Sequence, residues 1–149
     1  MQERSRNVFT SNNGEILIGN NVGISSACLW AQTKISIGNN VNIGADCLII
    51  DTDAHPHDYL IRRRGSVKVF GTSNYLKNIP SSPIIIDDDV WIGARCIILK
   101  GVHIGARSII AAGSIVVKDI PSDCVAGGNP CVLINRKKMI NNVFCPKEP

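Results

Sequence analysis

From Ile86 to Val116 the chain sets an aliphatic residue at every sixth position: Ile86, Ile92, Ile98, Ile104, Ile110 and Val116. An amphipathic helix needs apolar residues at spacings of three and four, and a half-buried strand needs every second residue, so an unbroken six satisfies neither template. Upstream the same beat runs through Ile18, Ile24 and Trp30, takes one extra residue, and continues through Ile37, Ile43 and Ile49, with His55 on the next beat. A Gly or Asn often follows the aliphatic residue, as in IGNNVG, IGADCL and IGARSI, and these residue types permit the backbone angles of a sharp corner. The predicted unit is a short strand plus a corner. Its beat residue and the small or β-branched residue four places on point inward.

Three such units make a coil of 18 residues, the span from Ile37 to His55 and again from Ile86 to Ile104. Coils stacked on one another hydrogen-bond as parallel strands about 4.8 Å apart. The expected fold is therefore all-β, a triangular solenoid of hexapeptide repeats, forming a single domain over residues 1–149. One long insertion, residues 56–85, carries no beat, and a stretch of that length inside a compact domain is usually functional. Pro121 and Pro130, with Gly127 and Gly128 between them, end the regular coils. In the C-terminal extension, residues 131–149, the segment VLINRKKMINN is expected to cap the open end as a short helix or strand.

Composition refines this picture in three ways. The chain is 44% hydrophobic but only 5% aromatic, so Ile, Val, Leu and Ala fill the interior. The cysteines form no CxxC pair, and Cys28, Cys47 and Cys96 fall at inward positions of the repeat, which points to reduced core residues rather than bridges or metal ligands. The net charge of +4 is gathered in Arg62, Arg63, Arg64 and Lys68 and again in Arg136, Lys137 and Lys138. No aromatic residues interleave with these runs, so a nucleic-acid partner is not expected. The start of the chain has no apolar signal core, and no stretch approaches the roughly 18 apolar residues of a membrane span. A cytoplasmic location without membrane insertion is the expectation.

Chemistry concentrates where the beat breaks. His55 and His57 lie in DTDAHPHDY among Asp51, Asp53 and Asp58. A carboxylate beside an imidazole can hold one tautomer and stabilise the protonated ring, so a general base is one reading. A turn held by Asx hydrogen bonds is the structural alternative. His103 falls at a corner position and is expected to face solvent. The three histidines do not reproduce the spacing of the gamma-class carbonic anhydrases, metal-dependent solenoids that form the remaining enzymatic alternative. No GxSxG, GxGxxG or P-loop is present, and no ranks of Thr suggest an ice-binding face.

The ordered set DTDAHP, a long loop, DDDVWIGA, LKGVHIGARSIIAAGSIVVKDIP and AGGNP resembles the hexapeptide-repeat O-acetyltransferases, which include galactoside and maltose, polysaccharide, and xenobiotic acetyltransferases. The likeness runs over roughly residues 14 to 136. It implies a left-handed parallel β-helix, a homotrimer, and an acetyl-CoA-dependent transfer to a hydroxyl of a sugar or polysaccharide precursor; an antibiotic acceptor is the alternative within the same fold. It implies His55, followed by Pro56, as general base, with Asp53 or Asp51 as its orienting partner or as a contact to sugar hydroxyls. The small residue after WIG, Ala94, is implied as oxyanion donor through its backbone N–H. Trp91, Ala94, Ala112 and Lys118 match cofactor-binding positions, and no metal is implied. The basic residues that follow the GNP-type proline in galactoside acetyltransferases are replaced here by Val132 and Asn135, so Arg136, with Lys137 beside it, becomes the expected phosphate contact. Arg62, Arg63 and Arg64 are candidates for binding an acidic sugar.

Overall fold

The computed structural model describes residues 8–10, 13–68, 73–136, 138–140 and 143–145. After β1 (Val8–Thr10), the first coil consists of β2 (Glu15–Ile18), β3 (Gly23–Ile24) and β4 (Cys28–Ala31), and the second of β5 (Lys34–Ile37), β6 (Asn42–Ile43) and β7 (Leu48–Ile50). The insertion then contributes α1 (Tyr59–Lys68) and α2 (Ser73–Lys77). The third coil is β8 (Ile84–Ile86), β9 (Trp91–Ile92) and β10 (Ile97–Leu99), and the fourth is β11 (His103–Ile104), β12 (Ile109–Ile110) and β13 (Ile115–Val116). A last partial coil ends in β14 (Cys124–Gly127), followed by β15 (Val132–Arg136) and a hairpin of β16 (Lys138–Ile140) and β17 (Val143–Cys145).

Equivalent strands stack into three walls of a prism. Sheet A has the order β1-β4-β7-β10-β13, sheet B β11-β8-β5-β2, and sheet C β15-β14-β12-β9-β6-β3. Every ladder along the stack is parallel until β15, which closes sheet C by pairing antiparallel with β14. Sequence patterning left the C-terminal segment open between helix and strand; its first described part, Val132–Arg136, is this closing strand.

The six beat residues from Ile86 to Val116 are all buried, as are Val90, Cys96, Val102, Ser108, Ser114 and Ile120 four places after each. Each such Ile removed from water contributes about 1.5–3 kcal/mol. The two inward serines are satisfied within the wall, Ser108 Oγ donating to the Pro121 carbonyl at 2.7 Å and Ser114 Oγ to that of Ala111. Cys47 and Cys96 are buried thiols whose Sγ–H groups donate to the carbonyls of Gly93 and Ala111, and no disulfide joins the described cysteines.

Three details differ from the sequence reading. Trp30 is not on the inward beat: Leu29 and Ala31 are buried, and Trp30 faces outward against Phe9. Ile24 pairs with Ile43 but Leu29 pairs with Ile49, so the first coil's corner is one residue shorter than the second's. A one-residue slip sends every side chain of a strand to the opposite face, and it also turns Cys28 outward. The beat likewise ends at Ile49: Asp51 is buried, whereas His55 lies on an exposed turn outside the prism.

The glycines after the beat also have another role. Left-handed backbone occurs three places after the beat, at Asn40 (φ 56), Asp46 (φ 58), Asp89 (φ 59), Arg95 (φ 59) and Arg107 (φ 60). Gly44 and Gly93 are needed instead because coils touch there. A Cβ at Gly44 would lie 2.5 Å from the Ala94 nitrogen, and one at Gly93 would lie 2.6 Å from the Ala112 nitrogen.

Candidate active site

Sheet A runs directly into sheet B at one edge of the prism, and the insertion leaves the solenoid there. Its two ends are zipped together by the Asp53 N–H to Pro80 carbonyl bond (2.9 Å), the Ser82 N–H to Asp51 carbonyl bond (2.9 Å) and a bridge between Thr52 and Ser81. The described part of this segment is not the plain loop that its lack of a beat suggested. Asp58 Oδ1 accepts the Leu60 N–H at 2.7 Å and so caps α1.

The three acidic residues around the histidines have separate tasks. Asp51 is buried, and its carboxylate accepts three backbone N–H groups of the coil below: Gln32 at 2.7 Å, Thr33 at 2.7 Å and Lys34 at 2.6 Å. These bonds satisfy the extra residues in the corner between β4 and β5 and make Asp51 structural, not a partner of His55. Asp53 Oδ1 accepts from Lys100 Nζ at 2.6 Å, and Oδ2 bonds His57 Nε2 at 2.6 Å. Burial opposes ionisation of Asp53, but the Lys100 ammonium and His57 together hold its carboxyl below the usual carboxylate value. The expected orienting carboxylate is thus bonded to Lys100 and to the second histidine.

His55 is held from the insertion. Its Nδ1 lies 2.9 Å from the hydroxyl of Tyr75, a buried residue of α2, and the two rings meet edge-on with centroids 6.5 Å apart. Arg62 Nη1 donates to the carbonyls of Pro56 (2.8 Å) and His57 (3.1 Å), so this arginine braces the His-Pro-His turn. Arg63 lies over the Tyr59 ring at 5.7 Å. His103 projects from the outside of sheet B, where its Nε2 lies 2.9 Å from Asp87 Oδ2. It is paired on a strand and not at a corner. Among the described residues no group of three or more His, Cys, Asp or Glu could hold a metal ion.

Two of the expected cofactor positions, Ala94 and Ala112, occupy a different edge. Ala94 follows β9 and precedes β10, and Ala112 follows β12 and precedes β13, so both lie where sheet C turns into sheet A. With Ala45 they form a ladder of small residues along that edge, Arg95 N–H bonding the Ala45 carbonyl at 2.8 Å and Gly113 N–H the Ala94 carbonyl at 2.9 Å. Trp91 is 56% exposed on the outside of sheet C. Lys118 is exposed beyond β13, one coil of 18 residues after Lys100, on the same edge as His55. Arg136 pairs with Cys124 through the backbone of β15; its side chain, and Lys137, lie outside the described residues. Within one chain, therefore, His55 and the Ala94–Ala112 ladder are separated by the width of sheet A.

Sequence reasoning missed Tyr75, Lys100 and the buried role of Asp51. Lys100 carried a signal, since it stands one coil before Lys118 in the repeat register. Tyr75 carried none, because an aromatic residue in a segment without a beat has no assigned face.

The family model described as the hexapeptide repeat of succinyl-transferase matches residues 34–50 and 83–118. A galactoside O-acetyltransferase of Lactococcus lactis is 42% identical over 93 residues, 62% of this chain and 38% of that protein. The chain spans between about a quarter and two fifths of the first curated relatives it matches. A crystal structure of a hexapeptide-repeat-containing acetyltransferase of Vibrio cholerae superposes with a TM-score of 0.69 and 33% identity over 87% of this chain and 69% of that one; the same protein has been solved with acetyl coenzyme A. A galactoside acetyltransferase solved in complex with coenzyme A gives a TM-score of 0.70 and 31% identity over 94% of this chain and 67% of that one. With the prism, the insertion at the A/B edge and the ladder at the C/A edge, these likenesses place the chain in the hexapeptide-repeat acetyltransferase family.

Proposed function

We propose that the protein transfers the acetyl group of acetyl-CoA to a hydroxyl of a sugar or polysaccharide precursor, with His55 as general base, in a cleft between subunits of a homotrimer. The observation that carries this reading is the placement of His55: a braced imidazole on an exposed turn, at the one edge where the solenoid is interrupted. The galactoside acetyltransferase bound to coenzyme A supports the donor, and the galactoside O-acetyltransferase relative supports the acceptor class.

In the proposed reaction His55 takes the proton of the acceptor hydroxyl as its oxygen attacks the thioester carbonyl carbon. The Ala94 N–H donates to the oxyanion of the tetrahedral intermediate, the role implied for the position after WIG. Collapse breaks the carbon–sulfur bond, and the imidazolium of His55 returns its proton to the departing thiolate. The products are an O-acetyl ester and free CoA. Trp91, Ala112, Lys118 and Arg136 are assigned to the cofactor, Ala112 because a bulky residue would obstruct the groove along the ladder.

The geometry of the edges supports a site shared between subunits, as the proposed trimer requires. His55 and Ala94 sit on two edges of one prism, so they can meet at one acetyl group only if the His55 edge of one subunit faces the ladder edge of the next. The outside of sheet A between those edges supports such contact, being lined by Cys28, Trp30, Leu48, Ile50, Ile97, Leu99 and Ile115.

Thiol release from acetyl-CoA across a panel of sugars, nucleotide sugars, amines and acetylatable antibiotics tests the proposal. A sugar hydroxyl should be acetylated, and His55→Ala should lower kcat by about 10²–10⁴ with acetyl-CoA affinity little changed. Full activity in that variant sinks the assignment of the base, and turnover with amines or antibiotics alone sinks the acceptor class.

A further inference from the structure

We infer that Tyr75 is the residue that positions His55, fixing the tautomer in which Nδ1 carries the proton and Nε2 receives one from the acceptor. The inference rests on the reading of His55 as general base and adds a residue that sequence resemblance did not supply.

A neutral imidazole has one N–H, and whichever ring nitrogen is held by a fixed partner decides what the other can do. A phenol hydroxyl can donate or accept, so the 2.9 Å contact between His55 Nδ1 and Tyr75 Oη allows two arrangements. If the phenol donated, the ring proton would sit on Nε2, and that nitrogen could not act as a base. If Nδ1–H donates to the phenol oxygen, Nε2 carries the lone pair and is the ring nitrogen that can take a proton. Only the second arrangement serves the reaction.

The two carboxylates expected in this role, Asp51 and Asp53, are committed to other groups. Asp51 accepts its three backbone N–H groups, and the two oxygens of Asp53 bond Lys100 and His57. Tyr75 is in turn kept in place by the coil it reaches. It is buried; the carbonyl of the adjacent Leu76 accepts from Gln32 Nε2 at 3.3 Å, and Gln32 Oε1 accepts from Thr52 Oγ1 at 2.8 Å. Thr52 Oγ1 also accepts the Ala54 N–H at 3.2 Å, directly before His55. Gln32 and Thr52 therefore tie the segment that brings the phenol to the turn that brings the imidazole. The arrangement sets the tautomer with a neutral group and adds no negative charge beside a site where an oxyanion must form.

The test joins ring-nitrogen NMR to kinetics. In ¹⁵N-labelled protein, at a pH where the ring is neutral, His55 should be in the Nδ1–H form; its signals are assigned by their loss in His55→Ala. Tyr75→Phe keeps the ring and removes the hydroxyl. It should give a mixture of tautomers and lower kcat about tenfold, with the KM for acetyl-CoA and the melting temperature little changed. A wild-type ring protonated on Nε2 overturns the inference without any variant. So does a Tyr75→Phe protein with unchanged kcat while His55→Ala is inactive, or one with lowered kcat and an unaltered tautomer. Full activity in His55→Ala would instead remove the reading of the base itself, a separate outcome.

Discussion

The stack from Ile86 to Val116 and the turn around His55 are built by opposite means. In the stack, backbone bonds backbone: Gly38 N–H meets the Ile86 carbonyl at 2.8 Å and Gly93 N–H the Ile110 carbonyl at 2.8 Å, while identical aliphatic side chains pile up inside. At the turn, side chains take over. Asp51, Thr52, Gln32, Arg62 and the pair of Asp53 with Lys100 hold backbone or one another across coils that the repeat no longer keeps in register. A repeat makes a rigid rod with every edge alike, and interrupting it once makes one edge chemically distinct. On the proposed reading, rigidity and reactivity belong to different residues, and substitutions should separate them.

The largest effect should come from adding a single methyl group where coils touch. Gly93→Ala would place its Cβ 2.6 Å from the Ala112 nitrogen and 2.9 Å from its Cα, backbone atoms that can yield only if the coils part. A loss of about 4 kcal/mol is expected in denaturant titrations. Gly113→Ala supplies the contrast within the same coils. Nothing lies within 4 Å of its added methyl, and only its φ of +75° opposes the change, at about 1–2 kcal/mol. Equal losses at the two sites would show that close approach between coils is not what selects glycine after the beat.

Next in size is a pair of neighbours on β10. Ile98 is wholly buried, and Ile98→Ala should cost about 3 kcal/mol of stability, the range for a core aliphatic cavity. Ile97, beside it, points out of sheet A. Ile97→Asp should cost the isolated prism little, yet it should break assembly and abolish turnover together, read by light scattering and thiol release on the same sample. A fully active monomer would refute the proposal that the two edges meet between subunits.

These contrasts follow the line between what the sequence reveals and what it hides. The interior was legible because a buried wall needs one residue type at one spacing, and Ile86 to Val116 obey it without exception. Trp30 misled because the residue shed in the first coil's corner reverses inside and outside, while leaving an apolar residue on either count. The glycines after the beat were read as corner residues, but the corners are turned by Asn40, Asp46 and Arg95 in left-handed backbone; the glycines answer to a neighbour one coil away that local sequence cannot name. At the site, His55 was legible as a His-Pro pair at the break. Tyr75 was not, because it reaches the histidine from twenty residues further along the chain. Asp51 was hidden for the same reason, its three N–H partners lying 17 to 19 residues back.

The smallest effect, and the finest test of the contrast, is the acid response of the turn. Asp53 has its folded pKa below the ordinary 3.8, because its bonds to Lys100 and His57 outweigh the burial that opposes ionisation. A carboxyl depressed on folding contributes stability that is fully present above the unfolded value and is lost as pH falls through the folded one. Wild-type protein should therefore lose this contribution as pH drops below about 4. Asp53→Asn removes the titration, so its stability should vary less over the same interval. Lys100→Met removes the strongest partner while leaving His57, so the Asp53 carboxyl should return toward its ordinary value and its contribution should shrink. Calorimetric stability curves from pH 6 downward would read the differences, with Ile98→Ala as control. That core variant should fall parallel to wild type, since Ile98 belongs to the buried hydrophobic cluster and its replacement removes no titratable group. If Asp53→Asn also ran parallel to wild type, the Lys100 contact would be a surface pair with no hold on the turn, and the bracing of the His-Pro-His segment would fall to Arg62 and Thr52.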